Sequence, residues 1–73
     1  MKVITLELLF SKHALDQACE RGVSINEIKE TIQKGAKFVQ GENKIVADYR
    51  HIRVIFKKIN DKLFIISVMI RQE

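Results

Sequence analysis

Histidine, arginine and lysine carry most of the chemistry available to this chain. His13 stands in the run Ser11-Lys12-His13-Ala14. Its imidazole has an unperturbed pKa of about 6.5 and can give or take a proton near neutral pH. A position near a helix start favours the neutral, proton-accepting form. Arg53 and Lys57 share one parity of the segment Ile52 to Ile59, so a strand there presents both on one face. An imidazole with cations is the equipment of metal-independent RNA cleavage. That reaction needs a base for the 2′-hydroxyl, an acid for the leaving oxygen and positive charge at the phosphate.

Each of these residues also has a plainer reading. His13 can hydrogen-bond a strand-end backbone group and fix its helix. Arg21 can bind phosphate, or favour the helix dipole and pair with Glu20. Arg53 and Lys57 can hold phosphate or form a solvated strand face. Arg71 shares a parity with Ser67 on the last apolar segment, and with Arg53 and Lys57 would make a basic, partly polar surface. Tyr49 can stack on a base or pack half-buried beside a turn. His51 falls in an expected turn and is a second acid–base candidate, or an exposed turn residue. Lys58 has core parity but sits near a strand end, where its stem can snorkel. Cys19 falls on the apolar side of the expected first helix and reads as an inert core residue.

The elements that must position these groups follow from periodicity. Val3 to Phe10 alternates with a period of two, with Ile4, Leu6, Leu8 and Phe10 on one face, and reads as a strand. Ser11 is a good N-cap. The following helix carries Ala14, Leu15, Ala18 and Cys19 on one side and His13, Asp16, Gln17 and Glu20 on the other. Gly22 ends it. Ser24 and Glu27 form a capping box, Ile25, Ile28 and Ile32 repeat at helical spacing, and Gly35 stops the second helix. Ala36 to Gln40, Lys44 to Tyr49, Ile52 to Ile59 and Leu63 to Ile70 read as strands. Turns fall at Gly41-Glu42-Asn43, Arg50-His51 and Asn60-Asp61-Lys62. The last strand is apolar on both faces and belongs inside the sheet, with the N-terminal strand along its other side. The expected fold is α+β: one strand, two short helices and an antiparallel β-meander, both helices on one sheet face.

Composition limits the alternatives. The chain has 73 residues, is 47% hydrophobic and 30% charged, and reads as one domain, residues 1–73. No apolar run approaches the roughly 20 residues of a membrane span. Glu7 interrupts any signal-peptide core, so a cytoplasmic location is expected. One cysteine and two histidines provide no internal disulfide and no zinc-ligand spacing; no metal or other cofactor is expected. The net charge of +4 suits an anionic partner, chiefly RNA or DNA.

Ser11-Lys12-His13-Ala14, Glu20-Arg21-Gly22-Val23-Ser24 with Glu27-Ile28, Ile52-Arg53-Val54 and Phe64-Ile65-Ile66-Ser67-Val68 together resemble a small bacterial and archaeal family labelled a domain of unknown function. Its signature is S-x-HA-x-x-R-x-x-ERG-[IV]-S, and the likeness runs from about Leu8 to Arg71. That family looks like a distant relative of the RelE/ParE and BrnT toxin proteins, many of which cleave RNA. The resemblance implies a RelE-like fold and marks His13, Glu20 and Arg21 as polar positions. Gln17 departs from the pattern, which often has arginine there.

The expectation is a toxin-type domain that binds RNA and, if it is an enzyme, cleaves it without metal. His13 serves as acid or base, Arg53 and Lys57 hold phosphate, and Arg21, Arg71 and Tyr49 assist. Two alternatives stand beside it. One is a non-catalytic interaction module that docks an antitoxin-like peptide along Ala36 to Gln40. The other is an inactive relic of a nuclease fold, with Gln17 a sign of lost function.

Overall fold

The computed structural model describes residues 7–71. Seven elements follow one another: β1 (Glu7–Phe10), α1 (Lys12–Arg21), α2 (Ile25–Lys34), β2 (Ala36–Val39), β3 (Ile45–Tyr49), β4 (Ile52–Ile59) and β5 (Lys62–Ile70). The part of the expected first strand at residues 3–6 lies outside the described residues. Five strands form one sheet in the order β1-β5-β4-β3-β2. The four later strands pair antiparallel as a meander, and β1 runs parallel to β5, with Leu8 opposite Leu63 and Phe10 opposite Ile65. The fold is therefore α+β, with β5 inside the sheet as its apolar character requires. No helix among the described residues is long and apolar enough to cross a membrane.

Local chemistry accounts for the helix boundaries. The Ser11 hydroxyl accepts from the Ala14 amide at 3.0 Å and opens α1. Gly22, at φ 68, closes it in the left-handed region where a side chain is strained. Ser24 and Glu27 form the expected reciprocal capping box, with bonds of 2.9 and 3.1 Å. Gly35 ends α2 for a different reason. Its backbone is extended, but a Cβ there would meet the Thr31 carbonyl oxygen and lie 2.6 Å from that of Asp48. Glycine is what lets the chain turn from α2 into β2 beside β3.

The core lies between the helices and one face of the sheet. Ala14 and Ala18 of α1, and Ile28 and Ile32 of α2, meet Ala47, Ile52, Val54, Phe56, Leu63, Ile65 and Val68. A β-bulge in β5 makes this set contiguous. Ile55 pairs with Ser67 and Phe56 with Ile65, so Ile66 is an extra residue. The added residue switches the parity of β5, and Leu63, Ile65 and Val68 are all buried.

Two expectations about α1 need correction. Leu15 and Cys19 are exposed, and Gln17 is half-buried against β5. The helix is rolled so that Ala14, Ala18 and Gln17 face the sheet, because small side chains let its backbone approach closely. Cys19 is consequently not a core residue. In α2, Ile25 is also exposed, and Thr31 is buried instead, donating its hydroxyl to the Glu27 carbonyl at 2.8 Å.

The position of Gln17 has a clear cause. β1 pairs with β5 only as far as Phe10 and Ile65. Beyond that point Ser11 takes over the edge, its amide donating to the Ile65 carbonyl at 3.0 Å and its hydroxyl to the Ile66 carbonyl at 3.1 Å. Gln17 continues the edge: its Oε1 accepts from the Val68 amide at 3.0 Å and the Ser67 hydroxyl at 2.9 Å. Side chains of α1 thus replace the strand that β1 ceases to provide.

Candidate functional site

Sequence alternation sends Arg53, Ile55 and Lys57 to the sheet face opposite Ile52, Val54 and Phe56. Among the described residues no helix covers that face. Asp48 of β3 stands directly opposite Arg53 in the ladder. The Arg53 guanidinium donates from Nε to Asp48 Oδ1 at 2.7 Å and from Nη2 to Oδ2 at 2.9 Å, a bidentate pair. Arg71, just past β5, brings its Nε to 3.8 Å from Asp48 Oδ2. The Asp48 carboxyl is held below the usual carboxylate range, first by the Arg53 hydrogen bonds, with desolvation opposing and the Arg53 and Arg71 charges assisting.

The β3–β4 turn adjoins this cluster. Arg71 Nη1 donates to the Arg50 carbonyl at 3.2 Å, and the Arg71 amide donates to the His51 carbonyl at 2.7 Å. The Arg50 guanidinium lies over the Tyr49 ring, 5.2 Å from its centroid. Arg50 itself holds φ 57. The other non-glycine residues with positive φ among those described are asparagines, which tolerate that region, whereas arginine there costs roughly 1–2 kcal/mol. The Glu27 carboxyl, lowered chiefly by its bond from the Ser24 amide, also feels the charges of His51 and Arg50. Arg53 and Arg71 therefore hold the Asp48 carboxylate on the uncovered face, whereas Tyr49, paired with the buried Ile52, and Arg50 over its ring lie toward the helix layer, where Glu27 feels the charges of Arg50 and His51.

The remaining sequence candidates lie elsewhere. His13 is exposed on α1, in the layer that covers the opposite side of the sheet from Arg53 and Lys57. The structure does not bring these three together. It is Ser11, not His13, that ties the start of α1 to β5. Arg21 ends α1 and lies 4.0 Å from Glu20, a loose exposed pair. Lys57 is four residues from Arg53 along β4 and lines an open depression with Gln40, Gly41, Glu42 and Lys44. Ser67 pairs with Ile55 and so shares the face of Arg53 and Lys57, with its hydroxyl donating to Gln17. Lys58 is exposed near its strand end.

Sequence reasoning missed Arg50 and Asp48 as parts of this group. Arg50 had a signal: beside His51 in a two-residue turn, it must sit with whatever the neighbouring strand ends carry. Asp48 had none, since its partners come from β4 and from the end of β5.

No curated protein and no solved structure matches this chain. A family model described as a domain of unknown function, DUF4258, matches residues 10–70. That range takes in both helices, the four antiparallel strands and the arginine cluster short of Arg71, and the chain belongs to the DUF4258 family.

Proposed function

We propose that this is an RNA-binding domain of the RelE/BrnT toxin type, and that it holds the RNA backbone at the β3–β4 turn. The observation that carries this reading is the pair Arg53 and Arg71 on one carboxylate of an uncovered sheet face, with Arg50 in the adjoining turn, in a chain with net charge +4. Guanidinium groups suit phosphate because their paired N–H donors match two of its oxygens. Tyr49 and His51 flank Arg50 in the chain, and Tyr49 lies under its guanidinium. Metal-independent cleavage is the activity that the resemblance to toxins implies, and His51 is the imidazole of the β3–β4 turn, its backbone carbonyl bound by the Arg71 amide. His13 lacks that company. The acid–base role therefore passes from His13 to His51, and Lys57 serves as a distal backbone contact.

The test is incubation of the wild type, His13→Ala and His51→Ala with a long unstructured RNA in EDTA, read on a denaturing gel. Cleavage by the wild type and His13→Ala, with none by His51→Ala, is the expected pattern. Loss in His13→Ala alone would return the chemistry to the helical layer. If none of the folded proteins bound or cut RNA, the reading would be dropped.

A second reading has its own observation. β2 is one edge strand of the sheet and is exposed along its whole length, with Phe38 47% and Val39 73% accessible. Such an edge can accept an extended segment of a partner protein as a sixth strand.

A further inference from the structure

Arg53 is held more firmly than an ordinary surface arginine. An arginine side chain carries about 2 kcal/mol of rotamer freedom, which a single exposed ion pair rarely overcomes. Here the Nε and Nη2 edge is bound by both oxygens of Asp48. The guanidinium also lies over the Phe38 ring, its Cζ 5.9 Å from the centroid. In register Phe38 pairs with Val46, and Val46 with Ile55. Val46 is only 2% exposed although it belongs to the uncovered face. The floor of this part of the face is therefore apolar and packed. Above it stand two planar groups, the Phe38 ring and the Arg53 guanidinium, whose side chain remains 38% accessible.

We infer that Arg53 and Phe38 form a stacking platform for an unpaired nucleobase, so that the ligand class of this site is single-stranded nucleic acid. The inference rests on the RNA-binding reading above and names its substrate class. Nε and Nη2 are spent on Asp48, leaving Nη1 and the π surface to meet a ligand. A base in a duplex keeps its faces inside the stack, whereas an unpaired base can lie against an aromatic ring or a guanidinium plane. Arg71, tied to the turn through the Arg50 carbonyl and to Asp48, then meets a phosphate that flanks that base.

The test compares probes of one length by fluorescence anisotropy: single-stranded RNA, the same backbone with abasic sites, single-stranded DNA of the same sequence, and duplex RNA. The wild type should prefer the base-bearing strand over the abasic one by about 5- to 150-fold, the range to which 1–3 kcal/mol per stacked base converts. Arg53→Lys keeps the charge and removes the plane. It should lose most of that preference while its affinity for the abasic strand is retained. Phe38→Leu, which keeps an apolar cover over Val46, should lose preference in the same direction. Equal affinity for RNA and DNA would make either strand a ligand, and a preference for RNA would assign the site to RNA. Binding without preference for bases, or an equal loss of both probes in Arg53→Lys, would overturn the platform and leave RNA binding standing. Failure of the wild type to bind any probe would overturn both.

Discussion

Asp48 joins two cations that are far apart in sequence, and its ionisation should be legible in stability. A carboxylate whose pKa is depressed in the folded state stabilises fully above its unfolded value of about 3.9, and that contribution is lost as pH falls through the folded value. Asp48→Asn should lower the Tm by a few degrees at neutral pH. The gap between the two proteins should stay constant down to about pH 4 and close below it. A gap unchanged at pH 2 would mean that the Arg53 pair contributes nothing through charge. Gln17 makes a second prediction at this scale. Its Oε1 accepts two hydrogen bonds that nothing else replaces. Gln17→Ala strands the Val68 amide and should cost about 1–3 kcal/mol in urea denaturation. Gln17→Arg should do no better, because arginine has no acceptor. Recovery of wild-type stability in the arginine variant would show that the contact is dispensable. Read from sequence, Gln17 was a polar residue on the outer side of a helix and a departure from a family pattern. Neither description contains its role, because both hydrogen-bond donors lie some fifty positions further along.

At the scale of elements, the β3–β4 turn separates a folding requirement from a binding one. Its left-handed position is occupied by arginine rather than glycine. Arg50→Gly should leave stability unchanged or raise it by up to about 1 kcal/mol, because relief of backbone strain offsets the entropy lost with glycine. The same variant should bind RNA more weakly. A turn that lost stability on this change would show that Arg50 is retained for packing. The helices were the most legible elements. Ser11, Gly22, the Ser24–Glu27 box and Gly35 are local signals, and each acts where its sequence position implies. The roll of α1 was not legible. Leu15 and Cys19 made a plausible apolar side, but Ala14 and Ala18 permit a closer approach, and the unpaired edge of β5 pulls Gln17 inward. Hydrophobic patterning registers size and polarity; it does not register an unsatisfied strand edge.

For the whole molecule, charge makes the quantitative prediction. If Arg50 and Arg71 each neutralise one phosphate, the logarithm of RNA affinity should fall with the logarithm of salt concentration at a slope of about −1.4, from roughly −0.7 per contact for single strands. Removing Arg71 should flatten the slope by about 0.7. A slope near zero in the wild type would exclude backbone recognition.

What the amino-acid sequence determined alone was the order and kind of the elements, the helix boundaries, and the place of β5 inside the sheet. Those properties depend on caps, glycines and periodicity within a few neighbouring residues. The marked run around His13 was equally visible, yet visibility did not bring it to the arginines. Which residues share a site was decided by tertiary structure. Strand pairing puts Asp48 opposite Arg53, the return of β5 brings Arg71 to the β3–β4 turn, and the sheet itself separates His13 from both. Register and layer are properties of the assembled sheet, and no local pattern in the chain encodes them.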